Sequence, residues 1–139
     1  MRLLILLLAL FSPPYNTLPP VNVAANSPYT VWNAETPTPG NGTTAASQQV
    51  SLTKNRFGVM AFAVDGKFSA APGVFEVDVQ VANTDSDTSY QTISNGNITA
   101  VDSTNNGFHL DVPRENARFA RLLLRARTNA VSITATVNQ

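Results

Sequence analysis

Between Val74 and Ala82 the side chains alternate: Phe75, Val77, Val79 and Val81 are apolar, while Glu76, Asp78 and Gln80 are polar. A period of two places every second side chain on one face of an extended chain, so this stretch is a strand with one dry face that must be covered by a second layer. The same pattern returns where Phe108, Leu110 and Val112 alternate with His109 and Asp111. It returns again where Val131, Ile133, Ala135 and Val137 alternate with Ser132, Thr134 and Thr136. The apolar run from Phe57 to Val64 reads as a strand buried on both faces. Asp65-Gly66 and Asn95-Gly96 read as hairpin turns, Ala70 to Gly73 and Asn83 to Ser89 as breaks, and Thr128-Asn129 as a further turn. Strand and turn signals at intervals of about 8 to 12 residues are those of an antiparallel sandwich. The expected fold is therefore all-β: an antiparallel β-sandwich or jelly roll of about eight strands over residues 48–139, preceded by an extended arm over residues 1–47.

The arm follows from its composition. Leu3 to Phe11 is an unbroken apolar run behind Met1-Arg2, and seven of the nine prolines lie between Pro13 and Pro39. Proline fixes φ and removes a backbone donor, which keeps such a segment extended and out of sheet interiors. The apolar run is too short to span a bilayer, which takes roughly 20 residues. Two readings stand: a signal peptide cleaved near Val23-Ala24-Ala25, or a retained arm whose apolar groups, Leu4, Leu7 and Phe11 among them, are buried against a partner. Tyr15 and Trp32 are further large groups on this segment. Either Tyr29 to Trp32 packs on the domain as a first strand, or these residues dock on a neighbouring subunit.

Charge and cysteine content exclude several classes. Nine basic and nine acidic residues cancel, so no global field draws the chain to nucleic acid or to an anionic membrane. Without cysteine there is neither a disulfide nor a thiolate metal site. Only 13% of residues are charged, well below the usual share of about a quarter; a surface so poor in charge suits a protein that lies against other protein.

Five of the nine basic residues fall between Arg114 and Arg127. As a helix this segment lines Arg114, Arg118, Arg121 and Arg125 along one face. As a strand it points Ala120, Leu122, Leu124 and Ala126 inward, with Arg121, Leu123, Arg125 and Arg127 outward. The strand, in a hairpin with the segment that follows Thr128-Asn129, agrees with the surrounding pattern. Arg121, Arg125 and Arg127 then either face a partner or pair with Glu76 and Asp78. His109 and Asp111 share a strand face, but no activated nucleophile accompanies them, so no catalytic residue is assigned. Asp85 and Asp87 are followed by neither the turn glycine nor the terminal glutamate of a calcium loop, and no cofactor or metal is expected.

The stretch Ala71-Pro72-Gly73-Val74-Phe75-Glu76-Val77-Asp78-Val79-Gln80 resembles small β-sandwich virion proteins of tailed bacteriophages. So do Asp85-Ser86-Asp87 leading to Tyr90, and Ala117-Arg118-Phe119-Ala120-Arg121-Leu122 with Asn129-Ala130-Val131. The resemblance covers about the last 70 residues, without a diagnostic active-site motif. It implies a non-enzymatic protein that decorates or cements the head shell, or belongs to the tail. Its partners would be the major capsid protein or another virion protein and copies of itself, with a trimer favoured. Ala-Arg-Phe-Ala-Arg-Leu is also similar to a late strand of galactose-binding-like jelly rolls, which implies the alternative of a secreted carbohydrate- or surface-binding module.

Overall fold

Nine strands form two facing sheets in a computed structural model that describes residues 19–22, 28–40, 43–53 and 60–139. The strands are β1 (Val21–Asn22), β2 (Tyr29–Glu35), β3 (Val50–Ser51), β4 (Met60–Phe68), β5 (Phe75–Ala82), β6 (Gln91–Ile98), β7 (Gly107–Glu115), β8 (Phe119–Arg127) and β9 (Ile133–Asn138). One sheet runs β1-β3-β8-β5-β6 and the other β2-β9-β4-β7. Apart from the parallel β1/β3 contact, every pairing is antiparallel.

The pairings are nested: β5 with β6, β4 with β7, β3 with β8 and β2 with β9. This is one long hairpin whose tip is the β5–β6 connection and whose two arms are folded over together. Contacts of β5 with β8 and of β4 with β9 then close the two sheets. The eight strands β2 to β9 thus form a jelly roll. Residues 114–127 contain no helix: Arg114 lies in the last two residues of β7 and Arg121, Arg125 and Arg127 lie on β8.

β8 and β9 do not form the expected hairpin, because they belong to different sheets. The chain crosses between the sheets at 69–74 and again at 128–132, and the two crossings lie side by side. Thr128 N donates to Val74 O (3.0 Å), Asn129 N to Pro72 O (3.0 Å) and Ser69 N to Ser132 O (2.9 Å). Gly73 permits the corner: its φ is +71°, and a Cβ there would sit 2.0 Å from Thr128 Oγ1.

Asp65-Gly66 is not a turn either but the middle of β4, paired with His109 and Phe108 on β7. Glycine is required there because the Phe108 ring crosses it; a Cβ on Gly66 would lie 2.0 Å from Phe108 Cζ. Phe108 belongs to an aromatic cluster with Phe68 and Phe75, whose centroids lie 6.0 and 6.4 Å away. Gly66→Ala is accordingly expected to cost about 1–3 kcal/mol by overpacking. Chemical denaturation of the single variant and of Gly66→Ala with Phe108→Leu checks this: the second change should return part of the loss, and additive effects would contradict the packing. Asn95-Gly96 likewise lies inside β6 at an irregularity, with Asn95 at a φ of 61°. Asp78 pairs with Asn97 and Gln80 with Thr92, so residues between Thr92 and Asn97 bulge away from β5.

The expected boundary at 47/48 is corrected by the first sheet contacts. β2 pairs with β9 along Tyr29–Glu35, and Val31 and Trp32 are both buried. Two successive inward side chains break the period of two, and the register shifts between Thr30 and Trp32. The bulge turns the indole into the core beside its neighbour. Even the short β1 is fastened, with Val21 N donating to Gln49 O (3.1 Å) and Gln48 Nε2 to Pro19 O (3.1 Å). The expected burial of Phe57–Val64 on both faces is replaced, over residues 60–64, by alternation: Met60, Phe62 and Val64 are buried, Ala61 is exposed and Ala63 is half-buried. Residues 57–59 lie outside the described residues.

Candidate functional site

The arginines do not form an open docking face. On the outer side of the first sheet, Arg121 is opposite Gln80, and its Nε donates to Gln80 Oε1 (2.8 Å). Its Nη1 donates to Asp87 Oδ1 (2.7 Å), and the Tyr90 ring lies over its guanidinium at 4.1 Å. The β5–β6 connection therefore folds back over the sheet and covers the arginine, which is 3% exposed. Tyr90 OH donates to Asp85 Oδ1 (2.8 Å). Burial first, then that bond to a carboxylate, raises the phenol well above its ordinary range.

Beside this lock, Asp78 is buried under a polar web. It accepts from Thr92 Oγ1 (3.0 Å) and Asn97 Nδ2 (2.7 Å), and Arg125 Nε lies 3.7 Å away. Glu76 accepts from Asn97, and among the described residues it has no arginine partner. Arg127 donates to the carbonyls of Val131 and Pro37, tying β8 to the loops at either side. Of the three arginines placed at an interface by the sequence, Arg121 is thus a buried internal fastener. Arg127 is partly buried and bonded within the chain, and Arg125 alone is exposed. Trp32 is corrected in the same way: at 0% exposure it is core, because the β2 bulge turns it inward. Leu4, Leu7, Phe11 and Tyr15 lie outside the described residues.

The second sheet carries a cluster that the sequence showed only in half. His109 Nδ1 is 2.7 Å from Asp65 Oδ1 and its Nε2 is 3.2 Å from Asp111 Oδ1. Asp111 was visible two residues along the strand, whereas Asp65 comes from β4 and was hidden by reading Asp65-Gly66 as a turn. An imidazole with a carboxylate oxygen at each nitrogen donates to both only when protonated. The Asp65 bond first, and the Asp111 bond second, hold His109 above its ordinary value of about 6.5.

Because the folded value is raised, the attraction is fully present below the ordinary histidine value and fades as pH climbs through the raised one. More than half of each side chain is open to solvent, so screening keeps the effect on stability small. NMR titration of His109 should therefore show a value above about 6.5, lowered by Asp65→Asn and, to a smaller extent, by Asp111→Asn. An unshifted histidine insensitive to both would remove the bracket.

Asp65 and His109 form one rim of a surface cleft of about 720 Å³. Its other walls come from Thr134 and Thr136 on β9 and from the loop between β6 and β7, which contributes Val101, Asp102 and Asn105. Among the described residues no group of three or more histidine, cysteine or acidic side chains is arranged to hold a metal, and no helix is long and apolar enough to cross a membrane. No protein-family model matches the chain, and neither a curated protein nor a solved structure matches it significantly.

Proposed function

We propose that this protein is a non-enzymatic structural component of a virion, most simply a subunit that decorates or cements the capsid shell of a tailed phage. The observation that carries the reading is the nested eight-strand topology, β2-β9-β4-β7 facing β3-β8-β5-β6. That double-sheet jelly roll is an architecture used by viral capsid domains, alongside lectins and cupins. Low charge and an abundance of small polar residues favour a surface that rests against other subunits rather than free in solvent. The partners are the major capsid protein and copies of this chain, a closed trimer being the symmetry proposed.

With Trp32 and Arg121 committed to the domain, the surface left for those contacts includes Arg125. Leu4, Leu7, Phe11 and Tyr15 are assigned to the same role by their apolar character. The test is the intact mass of the protein from its natural source, together with sedimentation. A full-length chain travelling with particles is expected, and a free chain beginning near Asn26 would instead establish a secreted binder.

A further inference from the structure

We propose that the cleft on the second sheet is a binding site for a neutral polyhydroxylated ligand, a saccharide in chemical class, read by Asp65, Asp102, Asn105 and Thr134. This goes beyond a role in a particle and does not depend on one. The cleft has the volume of a small-ligand site, about 300–1,000 Å³. What distinguishes it from an ordinary surface hollow is how its polar groups are held.

Each of the four uses one hydrogen-bonding position internally. Asp65 engages His109 through Oδ1 at 2.7 Å. Asp102 Oδ1 accepts from Thr104 N at 2.8 Å, and Asn105 Oδ1 accepts from Gly107 N at 2.7 Å. Thr134 Oγ1 accepts from Ala34 N at 3.1 Å. The second position of each has chemistry to spare: a carboxylate oxygen on Asp65 and on Asp102, the amide NH₂ of Asn105 and the hydroxyl proton of Thr134. Side chains fixed by one bond lose little further freedom when the other is used, and this preorganisation favours binding.

The free positions are a mixture of donors and acceptors. A sugar hydroxyl both donates and accepts, so adjacent hydroxyls can meet a carboxylate and an amide together, which an anion cannot do. Local charge points the same way. Asp65 and Asp102 in the cleft are offset by Lys67 and by His109 in its protonated form, and Asp111, outside the lining, lies against the far nitrogen of that imidazole, so no positive field is left to capture an anion; Thr134 and Thr136 on the adjoining β9 carry no charge. Val101, half-buried against the core, adds an apolar patch suited to the C–H face of a pyranose.

The test uses the full chain, labelled for amide NMR, titrated separately with maltose, lactose, cellobiose and chitobiose. At least one should move the amides of Lys67, Asn105 and Thr134 in a saturable way at millimolar concentration. Asp102→Asn and Asn105→Asp are the decisive variants. Each keeps the Oδ1 that fastens the loop and exchanges the chemistry of the other atom, so the fold should survive, as the remaining amide positions will report. Either change should weaken binding about tenfold, the equivalent of one lost hydrogen bond. The proposal is overturned if none of the four sugars moves those amides, if the shifts persist undiminished in both variants, or if inorganic phosphate displaces the sugar from the cleft.

Discussion

Changing Trp32 to alanine is expected to destabilise the domain by about 3–5 kcal/mol, the range for truncating a large aromatic residue in a packed core. The indole is completely buried and β2 is anchored by it against β9. Its removal therefore leaves a cavity at an edge strand that has one neighbour in its sheet. Trp32→Phe should cost much less. It keeps most of the apolar area, and it deletes an indole Nε1 that has no hydrogen-bond partner among the described residues. Equilibrium unfolding in urea of the two variants decides the matter. A stable Trp32→Ala domain that no longer assembles would restore the docking role the sequence suggested, whereas a large loss in the isolated protein places residues 29–35 in the domain energetically as well as geometrically.

The contrast between Trp32 and Val79 shows what the sequence could and could not reveal. In sequence β5 and β9 alternate without interruption, and on the inward side Phe75, Val77, Val79, Ile133, Ala135 and Val137 are buried and Val81 half-buried; Asp78 and Gln80 on the outer side of β5 are buried as well, covered by the polar groups above them. Where the ladder is regular, the period of two is a direct projection of the two faces. It fails where the backbone departs from the ladder. The bulge in β2 turns two consecutive residues inward, the bulge in β6 disguises Asn95-Gly96 as a hairpin, and the ring of Phe108 demands a glycine in mid-strand that imitates a turn.

Each of these is a long-range fact: the partner that makes Gly66 necessary is 42 positions away in the chain, at Phe108. For the same reason the sequence offered His109 with Asp111 but not with Asp65, and no spacing rule could have joined Asp102, Asn105 and Thr134 across one cleft. The jelly roll as a class was legible from strand and turn density; its order of strands was not, because antiparallel neighbours in sequence need not be neighbours in a sheet.

Arginine 121 offers the second large effect, and a direct choice between an internal and an external role for the basic cluster. Its alanine variant removes a buried side chain whose guanidinium holds Gln80, Asp87 and the Tyr90 ring at once. Breaking a buried pair by deleting one partner costs about 3–5 kcal/mol, and here about 3 kcal/mol is expected, because Asp87 remains 32% exposed and can turn toward water. Gln80, itself buried, loses the donor to its side-chain oxygen, which contributes to the loss. Arg125→Ala should cost less, about 1 kcal/mol: that side chain is 38% exposed and its contact is long at 3.7 Å, and the Asp78 carboxylate, only 7% exposed, keeps its bonds from Thr92 and Asn97. The two variants therefore part company: Arg121→Ala is markedly destabilised, while Arg125→Ala keeps most of the parent stability and is the one to examine for lost association with particles. Equal, small effects on unfolding for both would mean that the β5–β6 connection does not clamp the outer face of the sheet, and the cluster would return to the surface as a docking patch.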